Sequence, residues 1–243
     1  MGPSRTFPWL LNLIFPPVCP ICKTLISWKG QDPIMCPDCR KAIRPVHPPY
    51  CPHCGLPYPT GDQENHLCAL CLQERWYFEV HRTCALYEGA LKEAIHRFKY
   101  GGVFSLVRVF GDLLEPAFQI LTRDYPADVM VPVPLHIRRL RERGFNQALL
   151  LVKELSKRTG IPYKERALKK IKDTPVQIAL KKRERRKNLT RAFQVKDQEA
   201  IQGKTVVLVD DVYTTGATVN ECSRALLMAG AERVAVLTVA RAL

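Results

Sequence analysis

The sequence predicts an α/β protein, a mostly parallel sheet flanked by helices and preceded by a small cysteine-rich module. Three observations predict it. Eight of the ten cysteines fall in four Cys-x-x-Cys pairs between Cys19 and Cys71. The composition changes near Arg75, from proline-dense and weakly patterned to regularly apolar. The stretch from Thr205 to Val239 reads strand, helix, strand, an order that joins parallel strands by a right-handed crossover. Residues 1–75 are therefore expected to form the cysteine module and 76–243 the sheet domain. A chain of 243 residues, 47% hydrophobic, can build one ordinary core plus something small.

The first module opens with an internal repeat. Cys19/Cys22, Cys36/Cys39, Cys51/Cys54 and Cys68/Cys71 recur with a shift of 32 residues, and Pro20 and Pro52 occupy equivalent places. Each copy reads Cys-x-x-Cys, 13 residues, Cys-x-x-Cys. The proline-dense stretch from Pro16 to Gly61 cannot bury much core, so a metal must organise it. Thiolates at this spacing suit tetrahedral, structural Zn²⁺, in one or two sites resembling zinc ribbons. The quartets can be sequential (Cys19, Cys22, Cys36, Cys39; Cys51, Cys54, Cys68, Cys71) or interleaved; spacing leaves both open. His53 and His66 are expected at the surface, and Cys84 and Cys222 as packed core thiols.

The second module is read in order. His81 to Tyr87 forms a strand. From Gly89, the residues Leu91, Ala94, Ile95 and Phe98 recur at helical spacing, with Lys92, Glu93, Arg97 and Lys99 on the other face, until Gly101-Gly102. Leu106 to Leu121 is a second helix, and Val129 to Val133 a short apolar strand stopped by Pro134. Phe145, Ala148, Leu149, Val152 and Leu155 mark a further helix, closed by Gly160-Ile161-Pro162. Residues 164 to 200 are basic and weakly periodic, a loop or hairpin of functional length. Thr205 to Val209 is a buried strand, Val219 to Ala229 a helix ended by Gly230, and Val234 to Val239 another strand.

The formal net charge of +14 is concentrated. Arg138 to Arg191 holds 19 Lys or Arg against 5 Asp or Glu and so carries the whole excess. Such a field draws polyanions: nucleic acid, anionic lipid or a small multiphosphate. No apolar run approaches the ~20 residues that span a bilayer. Leu10 to Phe15 is too short, and it lacks the features of a signal peptide. It is expected to dock on the rest of the protein, and the compartment is expected to be the cytoplasm.

The residues that carry chemistry lie in Val206-Val-Leu-Val-Asp210-Asp211-Val-Tyr-Thr214-Thr215-Gly216-Ala217-Thr218. A buried strand ends in two acids, and a turn of hydroxyl residues leads into a helix. Amides at a helix start attract phosphate, Gly216 lets the main chain approach an anion, and Thr214, Thr215 and Thr218 can donate to phosphate oxygens. Asp210 and Asp211 can accept bonds from vicinal ribose hydroxyls or hold a metal through water. The carboxyl end of a strand is also where open α/β sheets bind ligands.

This segment resembles the 5-phosphoribosyl-1-pyrophosphate (PRPP) motif of type I phosphoribosyltransferases. VPVPLHIRRLRERGFNQA at Val131 to Ala148, the pattern Gln177, Leu180, Glu184-Arg185, Asn188 and Ala192-Phe193, and FPPVCPIC at Phe15 to Cys22 narrow the resemblance to the competence-associated ComF family. The resemblance implies a type I phosphoribosyltransferase-like fold, with Asp210 and Asp211 on the ribose hydroxyls as catalytic residues and Thr214, Thr215, Gly216, Ala217 and Thr218 around the 5′-phosphate. Pro134, Leu135 and His136 would match the pyrophosphate loop. Arg138, Arg139, Arg141 and Arg143 would lie in the place of a flexible arm, and Mg²⁺ would accompany PRPP. Asn146 and Gln147 are read either as helix cap and polar surface or as acceptor contacts.

Two functions follow from that resemblance. One is a phosphoribosyltransferase with an unassigned acceptor, supporting DNA uptake in natural transformation. The other is a non-catalytic PRPP-sensing or single-stranded-DNA-binding protein on the same fold. Single-stranded DNA tracking Lys169 to Arg191, and a DNA-uptake helicase or other competence protein, are the macromolecular partners implied.

Overall fold

A computed structural model describes residues 16–26, 34–58, 64–173 and 189–243. The apolar run Leu10 to Phe15, the Gln177 to Asn188 pattern and the basic residues Lys181, Lys182, Arg183, Arg185, Arg186 and Lys187 lie outside the described residues. The cysteine region contributes two short helices, α1 (Pro37–Lys41) and α2 (Ala69–Gln73). The sheet region runs β1 (Val80–Leu86), α3 (Gly89–Tyr100), α4 (Leu106–Asp124), β2 (Val129–Pro132), α5 (Ile137–Arg143) and α6 (Gln147–Thr159). It continues with β3 (Leu168–Lys170), β4 (Phe193–Val195), β5 (Thr205–Tyr213), α7 (Ala217–Met228) and β6 (Arg233–Arg241).

Four strands form a parallel sheet in the order β1-β6-β5-β2. Alternation along the central strands explains its two cores. Val207, Val209, Ala235 and Leu237 face one side and pack with Leu91, Ile95, Phe110, Leu114, Leu151 and Leu155 from α3, α4 and α6. Val206, Leu208, Val234 and Val236 face the other and meet Val219, Cys222 and Leu226 of α7 and Leu168 and Phe193 of the hairpin. A sheet covered on both faces needs strands that are apolar throughout, and β5 and β6 supply them. The first cysteine unit joins the first of these cores through Cys19, Ile26, Met35 and Ile43. β1 is the outer strand, and residues 44–46 run antiparallel beside it: Val46 N donates to Cys84 O at 3.1 Å and Leu86 N to Arg44 O at 2.9 Å.

Two elements depart from the sequence reading. β5 does not stop before the acids; it runs on to Tyr213, because Asp210 pairs with Thr238 and Tyr213 with Arg241 on β6. Arg138, Arg139, Arg141 and Arg143 sit in the helix α5, not in an irregular arm. His136 caps its amino end, accepting from Arg138 N, and Gly144 closes it at φ +81°. Of the loop or hairpin expected for the basic stretch, the described residues show the antiparallel pair β3-β4.

Candidate functional site

The cysteines gather in sequence order. The Sγ atoms of Cys19, Cys22, Cys36 and Cys39 lie within 4.8 Å of one another, as do those of Cys51, Cys54, Cys68 and Cys71. No disulfide joins any of them. Cys22 and Cys36 are 3.5 Å apart and Cys54 and Cys68 3.7 Å, against the ~3.8 Å edge of a tetrahedron with bonds of about 2.3 Å to zinc. Backbone amides of Cys39 and Cys68 point at Cys36 and Cys51 Sγ at 3.4 and 3.5 Å, as around thiolates. Burial raises Cys39, Cys54 and Cys71 above the ordinary thiol range, and neighbouring sulfurs add to it. A divalent cation at each centre reverses that balance, so both sets fit structural zinc. His66 is exposed, as expected, and stacks on Tyr58. His53 is not a surface residue: its ring is half-buried against Phe78, with Nδ1 3.4 Å from Cys71 Sγ and Nε2 2.9 Å from Phe78 O.

The acid pair lies at the carboxyl edge of the sheet. β5 carries Asp210 and Asp211 past the point where β2 has ended at Pro132, so the loop Val133-Pro134-Leu135 starts beside them. Asp211 is buried and its Oδ2 is 2.7 Å from Lys99 Nζ, on the last turn of α3. Lys99 lies opposite the apolar stripe of its helix, yet only 17% of its side chain is exposed. Burial opposes its charge, but Asp211 and then Asp210 more than offset that and raise its pKa. Asp210 Oδ1 accepts from Asp211 N at 2.8 Å. Burial, and then the charge of Asp211, push the Asp210 carboxyl up to about 7, against the pull of Lys99 and Arg143.

The loop from Thr214 to Thr218 follows directly. Thr214 is exposed, Thr215 Oγ1 accepts from Ala217 N at 3.4 Å, and Ala217 and Thr218 form the first turn of α7. Gly216 starts that helix at φ +74°, in the left-handed region. The space its Cβ would need is taken from within by the Tyr213 phenol and the Trp76 ring. Packing against these rings, besides any approach to an anion, therefore makes glycine necessary there.

Across the edge, His136 is committed as the cap of α5, with Nδ1 3.5 Å from Asp173 Oδ1. Arg143 donates to Gln147 Oε1 and, at 3.3 Å, to Tyr100 Oη, and its guanidinium covers the Tyr100 ring. Lys99, Tyr100, Arg139, Glu142 and Arg143 line one open pocket here. Asn146 caps α6 through Ala148 N and donates to Val133 O at 3.1 Å, so it is a cap that also pins the loop after β2. Gln147 is buried rather than polar surface. From β3, Lys170 reaches the same edge; burial lowers its pKa, partly offset by Cys222, Asp173 and Asp210. Lys99 and Lys170 are the charged groups sequence reasoning missed. The signal for Lys99 was its place in the last turn of a helix aimed at a strand end.

Comparison with known proteins agrees with this architecture. Residues 10–85 match the double zinc ribbon domain family and residues 146–243 the phosphoribosyl transferase domain family. Competence protein F of Haemophilus influenzae is 34% identical over 212 residues, covering 86% of this chain and 90% of that protein. The DNA utilization protein YhgH of Escherichia coli K12 is 33% identical, covering 95% of this chain and 100% of its own. Competence protein ComFC of Bacillus subtilis is 29% identical, covering 88% and 90%. A double zinc ribbon leading into a parallel phosphoribosyltransferase-like sheet, shared over nearly its whole length with these relatives, places this chain in the ComF family.

Proposed function

We propose that this protein binds PRPP or a related phosphorylated ribose at the carboxyl edge of β5 and β2, and that it supports DNA uptake in the cytoplasm of a transformable cell. The observation that carries the reading is the acid pair of half-buried Asp210 and buried Asp211, backed by Lys99, directly before a loop that opens α7. In this reading Asp210 and Asp211 accept from the ribose hydroxyls. Amides and hydroxyls of Thr214, Thr215, Gly216, Ala217 and Thr218 hold the 5′-phosphate. Pro134, Leu135 and His136 flank the pyrophosphate, with Arg143 and Arg139 at the pocket mouth. Mg²⁺, bound with PRPP, would neutralise charge on the departing pyrophosphate. The carboxylates favour the positive charge that develops on the ring as that bond breaks. The names of the competence relatives support the cellular role.

The specific observation favouring a second, non-catalytic reading is the state of His136. Nδ1 accepts from Arg138 N as the cap of α5, so the neutral ring carries its proton on Nε2 and its one lone pair is taken, which does not suit a general base toward an acceptor. The same fold can then act as a PRPP sensor or a single-stranded-DNA binder, using Arg138, Arg141 and Lys169, exposed on α5 and β3.

Calorimetry with PRPP and Mg²⁺ tests the site. Millimolar or tighter binding is expected for the intact protein and a loss of at least about tenfold for Asp210→Asn/Asp211→Asn; equal binding by both overturns the assignment. Product analysis on the intact protein with PRPP separates turnover from binding alone.

A further inference from the structure

The second cysteine cluster is joined to the 214–218 loop by a continuous set of buried contacts. Arg241, the last residue of β6 and 5% exposed, donates from Nη1 to Cys54 O, and its Nη2 is 3.8 Å from Cys54 Sγ. His81, fully buried on β1, has Nδ1 at 2.8 Å from the same carbonyl and Nε2 at 2.8 Å from Thr238 Oγ1. A carbonyl only accepts, so His81 donates its Nδ1–H to Cys54 O, while Nε2 is hydrogen-bonded to the Thr238 hydroxyl. Two side chains thus read the position of one carbonyl inside a Cys-x-x-Cys turn.

Both also grip Tyr213. The His81 ring stacks on it at 4.1 Å between centroids, and the Arg241 guanidinium lies 4.7 Å from the ring centre on β5. The far end of Tyr213 fills the Cβ space of Gly216, and a Cβ there would also meet the Trp76 ring at 2.8 Å. Tyr77 N donates to Asn220 Oδ1 at 2.7 Å and Asn220 Nδ2 to Arg75 O at 3.3 Å, so the chain leaving the cluster also holds the first turns of α7. A cavity lined by Leu56, Cys68, Leu70, Thr214, Thr215 and Arg241 lies between the cluster and the loop. The first cluster has a different attachment: Arg40, on α1, pairs with Asp112 of α4 at 2.7 Å.

We infer that the second cluster is a working part of the phosphate site: the metal held by Cys51, Cys54, Cys68 and Cys71 positions Tyr213, and Tyr213 holds the 214–218 loop in its anion-ready shape. Metal retention at this cluster and anion binding at the loop are then linked, each strengthening the other, while the first cluster is indifferent to both. The four thiolates need a cation between them to hold the Cys51–Cys54 turn. Without it the Cys54 carbonyl shifts, and Arg241 and His81 lose the anchor that sets the Tyr213 ring. Tyr213 is a positioning residue in this scheme and touches no reacting atom. The nature of the anion rests on the phosphoribose reading; the mechanical link does not.

The test uses full-length, zinc-loaded protein and two readouts, amide hydrogen exchange of residues 214–219 and titration with ribose 5-phosphate. Cys71→Ser is expected to speed exchange there at least about tenfold and to weaken the ligand at least about fivefold, with Cys39→Ser changing neither. Tyr213→Leu should reproduce both effects with two zinc ions still bound, whereas Tyr213→Phe, which keeps the stacked ring, should keep wild-type exchange. Wild-type exchange in Cys71→Ser, equal changes in Cys39→Ser, or a wild-type loop in zinc-loaded Tyr213→Leu would each overturn the inference. If ribose 5-phosphate binds none of these proteins, the phosphoribose reading fails, and the exchange comparison still decides the link.

Discussion

Lys99 Nζ lies 2.7 Å from Asp211 Oδ2, tying the last turn of α3 to the strand that carries the acid pair. Both groups are largely out of water, so neither tolerates losing the other. Lys99→Met is expected to cost about 3 kcal/mol or more in urea denaturation. Adding Asp211→Asn should recover much of that, because the uncompensated carboxylate is gone, without restoring ribose phosphate binding. Additive losses in the double variant would show that the two side chains do not act as a pair.

Asp210 gives the molecule a characteristic pH dependence. Its carboxyl titrates near 7 in the folded chain, against about 3.9 when unfolded. The folded state therefore holds a proton that the unfolded state has lost, and stability falls as pH rises from about 4 to about 7. Asp210→Asn should flatten this slope and raise stability at pH 8 by roughly 1–3 kcal/mol. Thermal melts of both proteins between pH 4 and 8 check it; parallel curves would place the titration elsewhere.

Gly216 tests the turn. A Cβ there meets the Tyr213 ring at 2.6 Å and must adopt φ +74°. Gly216→Ala is expected to cost about 1–3 kcal/mol and to abolish phosphate binding. Thr215→Ala carries neither strain nor clash and should cost less than about 1 kcal/mol. Equal stability of the two variants would contradict the packing described.

Metal content should follow the clusters. Elemental analysis is expected to give two zinc ions per chain, one for each set of four cysteines. Cys36→Ser should lose one, and Cys222→Ala, altering a thiol on the buried face of α7, should keep both. Retention of two ions in Cys36→Ser would remove that residue from the ligand set.

The legible parts of the fold were those written in apolar spacing. Leu91, Ala94, Ile95 and Phe98 announced α3, and the Val206 to Val209 run announced β5. The cysteine repeat announced both clusters but not their partition, which depends on where each Cys-x-x-Cys turn sits in space. α5 has no apolar stripe; it exists because His136 and Gly144 close its ends, a signal that four arginines obscured. Lys99 was misplaced for the opposite reason. Its helix face is polar by pattern, yet the helix ends against β5, where a long side chain reaches an acid that spacing alone does not reveal. The Asp210-Asp211 motif is visible in the sequence, but the apolar run that marks its strand stops at the first charge, because register with Thr238 is a property of two strands.

The strip formed by residues 44–46 bears on how this protein can be taken apart. It occupies the outer border of β1, supplying Arg44 O and Val46 N where solvent or another chain would otherwise bond. A fragment begun at residue 76 would leave that border bare, an invitation to strand-by-strand self-association. The ribbons thus guard the sheet besides presenting their cysteine sets, and shortened forms of the protein should be judged first by whether they stay dispersed.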